Sequence, residues 1–195
     1  SGALAAARSG EYDRWILQAR SALALLILID QFGRNIHRGS SGAFAGDNHA
    51  IALAKRAINL GHDQRVPEIE RQFFYLPLMH SENLSDQEHC VRLLLERMPE
   101  HGASNLLHAR AHREVIRKFG RFPYRNEALS RHSTPLELGY VDGGGWVAWL
   151  GTGTGMDEKF SIYRTIAQNL VNQGIQPAEI NVAIPDYPHV DTQQR

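Results

Sequence analysis

The sequence predicts a mainly α fold of stacked antiparallel helix pairs, with a small C-terminal β-α-β appendage. Three observations lead there. Apolar residues recur at helical spacing through most of residues 11–137. Gly and Pro punctuate that pattern so that helices of roughly 12–16 residues are joined by short loops. Composition then changes at Gly143-Gly144-Gly145, beyond which the apolar runs have strand length. The expected organisation is a helical-repeat-like domain over 1–139 and a β-α-β appendage with its tail over 140–195.

Residues 11–32 read as a helix broken near Arg20-Ser21, with a second half that is apolar on every side and therefore central. Asp30 continues the Leu23, Leu26, Ile27 stripe, and Arg34 lies one turn further on, within ion-pair reach. Residues 38–42 form a loop. Asp47 is expected to cap a helix that ends at Gly61, and Pro67 opens the next one, whose stripe is Ile69, Phe73, Leu76 and His80. Pro77 is expected to kink that helix and free a backbone carbonyl near His80-Ser81-Glu82.

Ser85-Asp86-Gln87-Glu88 has the spacing of a capping box for a helix over 84–98. Ser104 is the expected cap of a helix ending at Gly120, with Ala109, His112, Ile116 and Phe119 inside. A short helix after Asn126 is expected to reach Arg131, and Thr134-Pro135-Leu136-Glu137 is a further cap. In the tail, 146–150 and 180–184 read as strands and 156–173 as an amphipathic helix ended by Gly174. Two strands and a helix bury too little to stand alone, so strand-edge contact with a protein partner or a second copy is expected.

Composition narrows the function classes. With 21 basic and 21 acidic residues the formal charge is zero, which removes the field a nonspecific nucleic-acid binder needs. The longest apolar run, 22–29, is too short to cross a bilayer, so no membrane role is expected. Residues 1–10 lack the order of a signal peptide, and the chain is expected to open part-way through a helix. The lone Cys90 fits a reducing, cytoplasmic setting.

The segment Phe119-Gly120-Arg121-Phe122-Pro123-Tyr124-Arg125-Asn126 packs two arginines, an asparagine and three rings into eight residues where a helix stops. It reads as a binding loop for an anion or as a clamp on a buried carboxylate. Together with Asp30-Gln31-Phe32-Gly33-Arg34-Asn35, Tyr75-Leu76-Pro77 through His80-Ser81-Glu82, and Ser133-Thr134-Pro135, it resembles the successive motifs of a bacterial family known as domain of unknown function 924. The resemblance spans about residues 11–137. It implies an all-helical, tetratricopeptide-like fold and no particular activity. Two departures accompany it: the family's N-terminal segment rich in tryptophan and phenylalanine is missing, and the tail is not part of it. The tail is weakly similar to the end of FtsQ-type cell-division proteins, in Gly145-Trp146, Leu150-Gly151, Lys159 and Ile180-Asn181-Val182.

The inward polar groups are an enzyme's inventory. His80 or His112 would serve as general base with Asp30 or Glu82 to orient it, and Arg34, Asn35, Arg38, Arg121, Arg125 and Asn126 would hold an anionic or polar small molecule. Ser81, beside His80 and Glu82, points about 100° away from each and makes a poor triad with them. The expected function is a small-molecule enzyme of hydrolase type. The alternative is a helical-repeat interaction module in which the same residues are structural clamps. No cofactor or metal is expected: His108 and His112 share a helix face, yet no glutamate completes a metalloprotease pattern. His37, His49, His62, His89, His132 and His189 read as solvated.

Overall fold

A helix apolar on all sides has to be wrapped by others, and Ala22, Leu23, Leu25, Leu26 and Ile29 are all buried. The computed structural model describes residues 2–134 and Glu137, together with the backbone of three strands at 147–149, 177–181 and 189–192. The described residues are mainly helical. The chain divides into two units, Ser1–Gly120 and Arg121–Arg195.

In the first unit, α1 (Gly2–Arg8) leads through a 3-10 turn (Asp13–Leu17) into α2 (Ala19–Leu26), a π-helical turn (Ile27–Phe32) and the short α3 (Gly33–Ile36). The helical path expected over 11–32 is thus broken, as expected, but earlier than Arg20-Ser21. The break falls at Gln18, which is extended, while Ser21 bridges it through Oγ to the carbonyls of Trp15 (2.7 Å) and Gln18 (3.2 Å). At the other end the helical path passes Phe32, because Gly33 keeps right-handed helical angles and does not terminate it. 

The later helices are α4 (Asp47–Asn59), α5 (Glu68–Met79), α6 (Leu84–Arg97) and α7 (Ala103–Phe119). Each packs on the next, and α2 lies against α4 and α5. Their caps differ from those expected. Asp47 is the first residue of α4, behind Gly46, and its carboxylate goes to Arg34. Asn83 caps α6 by accepting from the Ser85 N–H, and Gly102 precedes α7. The Gly120 stop holds, with φ of 70° in the left-handed region that glycine favours.

The buried face of α5 is also displaced from the expected stripe. Ile69 is 58% exposed, whereas Phe74, Tyr75, Leu78 and Met79 are buried. Contact with both α4 and α6 centres the covered surface one position along the helix. The helix continues through Pro77 to Met79. On α7 the inner residues Ala109, His112 and Ile116 are buried as expected.

In the second unit a 3-10 turn (Pro123–Arg125) leads into hydrogen-bonded turns. The expected short helix to Arg131 does not form: Ser130 has φ of 51°, and the Arg131 N–H bonds back to the Asn126 carbonyl at 2.7 Å, which closes the chain on itself. Thr134 and Glu137 make the expected reciprocal cap, Thr134 N–H to Glu137 Oε2 (2.7 Å) and Glu137 N–H to Thr134 Oγ1 (3.3 Å). The strands are β1 (Val147–Trp149), β2 (Pro177–Asn181) and β3 (His189–Thr192), in that order, with β1 parallel to β2 and β2 antiparallel to β3. β2 begins before the expected residue 180, and the helix expected over 156–173 lies outside the described residues, as do most of the tail residues of the FtsQ-like pattern.

Candidate functional site

The π turn inserts an extra residue into the helical path, and Asp30 sits in it with only 3% of its surface exposed. An ionised carboxylate buried this deeply needs partners. It receives Arg34 Nε on Oδ1 at 3.1 Å and Gln31 Nε2 on Oδ2 at 2.5 Å, and His80 Nδ1 lies 2.8 Å from Oδ1. Burial pushes the Asp30 carboxyl up, but the charge and hydrogen bond of His80, followed by Arg34 and Gln31, outweigh it and hold the group at about 2. Asp30 is therefore ionised at neutral pH and accepts only, so His80 donates from Nδ1. In the neutral imidazole that tautomer makes Nε2 the basic nitrogen.

Arg34 is spent on structure. Its Nη2 donates to Asp47 Oδ1 at 2.8 Å, and its guanidinium carbon lies 5.6 Å from the centre of the Phe44 ring. Burial works against the cation, and Asp30 with Asp47 overcomes it, raising the Arg34 pKa. The neighbours expected to join it, Asn35 and Arg38, are exposed.

His80 occupies the end of α5, and the backbone there is held by two side chains from other helices. Gln87 Nε2 donates to the carbonyls of Met79 and Ser81, each at 2.7 Å, while His112 Nδ1 donates to the Met79 carbonyl at 3.2 Å. His112 thus braces the residue before His80 and is itself 8% exposed. Ser81 donates its hydroxyl to Asp86 Oδ2 at 2.8 Å, and Asp86 Oδ1 takes Lys55 at 2.5 Å. Glu82 is half-buried.

Arg121, Arg125 and Asn126 belong to the second unit and build a network of their own. Arg121 holds Glu137 with two parallel bonds, Nε to Oε1 at 2.6 Å and Nη2 to Oε2 at 2.8 Å, and Nη2 also reaches the His132 carbonyl. The Arg121 hydrogen bonds, then the Thr134 N–H, hold the Glu137 carboxyl well below the usual range. Arg125 is buried with its guanidinium carbon 4.4 Å from the Phe122 ring centre and 5.8 Å from that of Tyr124. Asn126 donates to Ser133 Oγ at 3.0 Å.

Sequence reasoning missed Gln31, Asp47, Phe44 and Gln87 as members of the first network. Asp47 carried a misleading local signal, that of a cap, and nothing local distinguishes Gln87 from any polar residue in a first helical turn. His62 is a further correction: it is 3% exposed, donating Nε2 to the Ile16 carbonyl at 2.9 Å. Behind it Asp63 is fully buried, taking Tyr75 Oη at 2.6 Å and Arg97 Nη1 at 2.7 Å. Among the described residues one trio brings three metal-ligand atoms within 4.8 Å of one another, Glu68, Glu100 and His101. There Glu68 Oε1 already accepts the N–H groups of Glu100 and His101, each at 2.8 Å.

A family model described as a bacterial protein of unknown function, DUF924, matches residues 1–145. The chain belongs to this family. Every motif residue above, from Asp30 to Glu137, falls within the DUF924 match. A solved structure of a protein of unknown function from Agrobacterium tumefaciens is 42% identical, with a TM-score of 0.68 over 72% of this chain and 78% of that one. No curated protein matches the chain. Among the described residues no helix is long and apolar enough to cross a membrane.

Proposed function

We propose that this DUF924 chain is a small-molecule enzyme of hydrolase type, working by acid–base chemistry on a polar or anionic substrate. One observation carries the reading: a buried carboxylate, Asp30, accepts from Nδ1 of His80, whose side chain is 16% exposed. A base needs its proton-bearing nitrogen fixed by a group that stabilises the imidazolium, and Asp30 supplies both. His80 is then the general base through Nε2, taking a proton from water or a substrate hydroxyl. Asp30 orients it, and Arg34, Gln31 and Asp47 keep Asp30 ionised and in place. His112, spent on the Met79 carbonyl, positions the loop. A π turn at the carboxylate supports the reading, since such insertions gather at functional sites.

The test is turnover of a panel of carboxylic esters, amides and phosphate esters by the wild type, H80Q and D30N. Turnover that rises with pH as one group deprotonates, and that disappears in H80Q, is expected. Retention of that turnover by H80Q, or a wild type inert across the panel, overturns the proposal.

A second reading is favoured by Arg121 and Glu137, whose paired bonds have the form of a clamp. In that reading the chain is an interaction module of stacked, tetratricopeptide-like helix pairs. Sequential packing of α4 to α7 supports the stacking. We place the protein in the cytoplasm, on the single Cys90, which fits a reducing setting. Partners on this view are a small-molecule ligand, and a protein or second copy through the edge strands β1 and β3.

A further inference from the structure

Arg8, at the end of α1, lies against the backbone of the site and is not used by it. Its Nη2 donates to the Gly42 carbonyl at 2.8 Å, and this is its sole side-chain hydrogen bond among the described residues. Nε is buried with no acceptor there, and the half-buried guanidinium makes no ion pair with any described carboxylate. A guanidinium is always charged, so a part-buried one without a carboxylate partner is an uncommon arrangement.

Two glycines hold this side chain. A Cβ on Gly33 would come within 2.6 Å of Arg8 Nη2, and one on Gly46 within 3.2 Å of Nε and 2.8 Å of Ile29 Cγ2. Gly33 has ordinary helical angles and opens α3, where any residue but proline would be the better helix former. Its missing side chain is explained by the room that Arg8 takes. Gly33 adjoins Arg34 and Gly46 adjoins Asp47, so Arg8 is seated on the backbone that carries the Arg34–Asp47 pair. The charges divide accordingly: among the described residues Arg34 is neutralised by two carboxylates, and Arg8 by none.

We propose that Arg8 binds the anionic group of the substrate, a carboxylate or a phosphate, at the Asp30–His80 site. The inference rests on the reading of His80 as the base and supplies the substrate class that Arg34 cannot select. Planar forks of this kind pair with both oxyanions, which places the discrimination in the experiment.

The experiment follows arginine Nε–H signals by NMR in the full chain while acetate, and separately inorganic phosphate, is added. A saturable shift of the Arg8 signal is expected with one of them, acetate indicating a carboxylate substrate and phosphate a phosphorylated one. By calorimetry R8M should bind that anion roughly ten- to hundredfold more weakly, the range expected for loss of charge-assisted bonds. G33A, which keeps every charge and pushes the guanidinium aside, should lose affinity in the same direction. If R8M does not fold, R8K, which keeps the charge and lacks the fork, takes its place. No saturable shift with either anion, or unchanged affinity in both R8K and G33A, overturns the proposal. H80Q separates the two readings: it should keep the anion titration and lose turnover, so a failure of the base leaves the Arg8 result standing.

Discussion

At the scale of single residues, the site depends on one carboxylate being worth more ionised than buried. Asp30 is held at about 2 against an ordinary 3.8, so its folded-state pKa is depressed. The stability it contributes is fully present above about pH 4 and is lost as pH falls toward 2, and the shift corresponds to about 2 kcal/mol. Urea unfolding of the wild type and D30N should show a gap at about pH 5 that narrows steadily below about pH 4. A gap of the same size at pH 2 would mean that shape, and not charge, is what Asp30 supplies. Asp30, Arg34 and His80 were all legible in the sequence, because a polar residue continuing an apolar stripe is a pattern local enough to see. Gln31 and Asp47 were not legible. Their roles depend on the π turn and on a partner thirteen residues away, Arg34 to Asp47.

At the scale of elements, the turn after α5 carries His80, and it is held by Gln87 from α6 and His112 from α7. Gln87 is fully buried, and its amide serves two carbonyls at 2.7 Å. Replacing it by leucine removes those donors and leaves the carbonyls without them, which costs about 1–3 kcal/mol. Thermal unfolding should show that loss, and the His80 ring signals should broaden or move in NMR; a leucine variant with unmoved His80 signals would make Gln87 a core residue only. Helix ends followed the same division. Gly120 was readable as a stop because the left-handed conformation is a property of one residue and its chain neighbours. The cap at Asp47 was misread because its carboxylate takes a distant donor, Arg34, over its own helix.

At the scale of the whole molecule, the first unit is organised by a central segment that has no polar face, and its stability resides in what α2, α4, α5 and α6 bury together. Phe74 is completely buried on α5, and truncation to alanine should cost about 3–5 kcal/mol, read from urea midpoints with the slope unchanged. A cost below about 1 kcal/mol would show that the surrounding helices close over the space. The mainly helical class, the helices and many of their limits, and the family membership were determined by the sequence by itself, since period, punctuation and short motifs act over a few residues. Tertiary structure alone decided which face of α5 is covered, that Asp30 meets His80 across fifty positions while Ser81 turns to Asp86, and that Arg8 is seated between two glycines. The reason is physical: helical propensity and capping are local free energies, whereas the partner of a buried charge is selected by packing that brings together residues far apart in the chain.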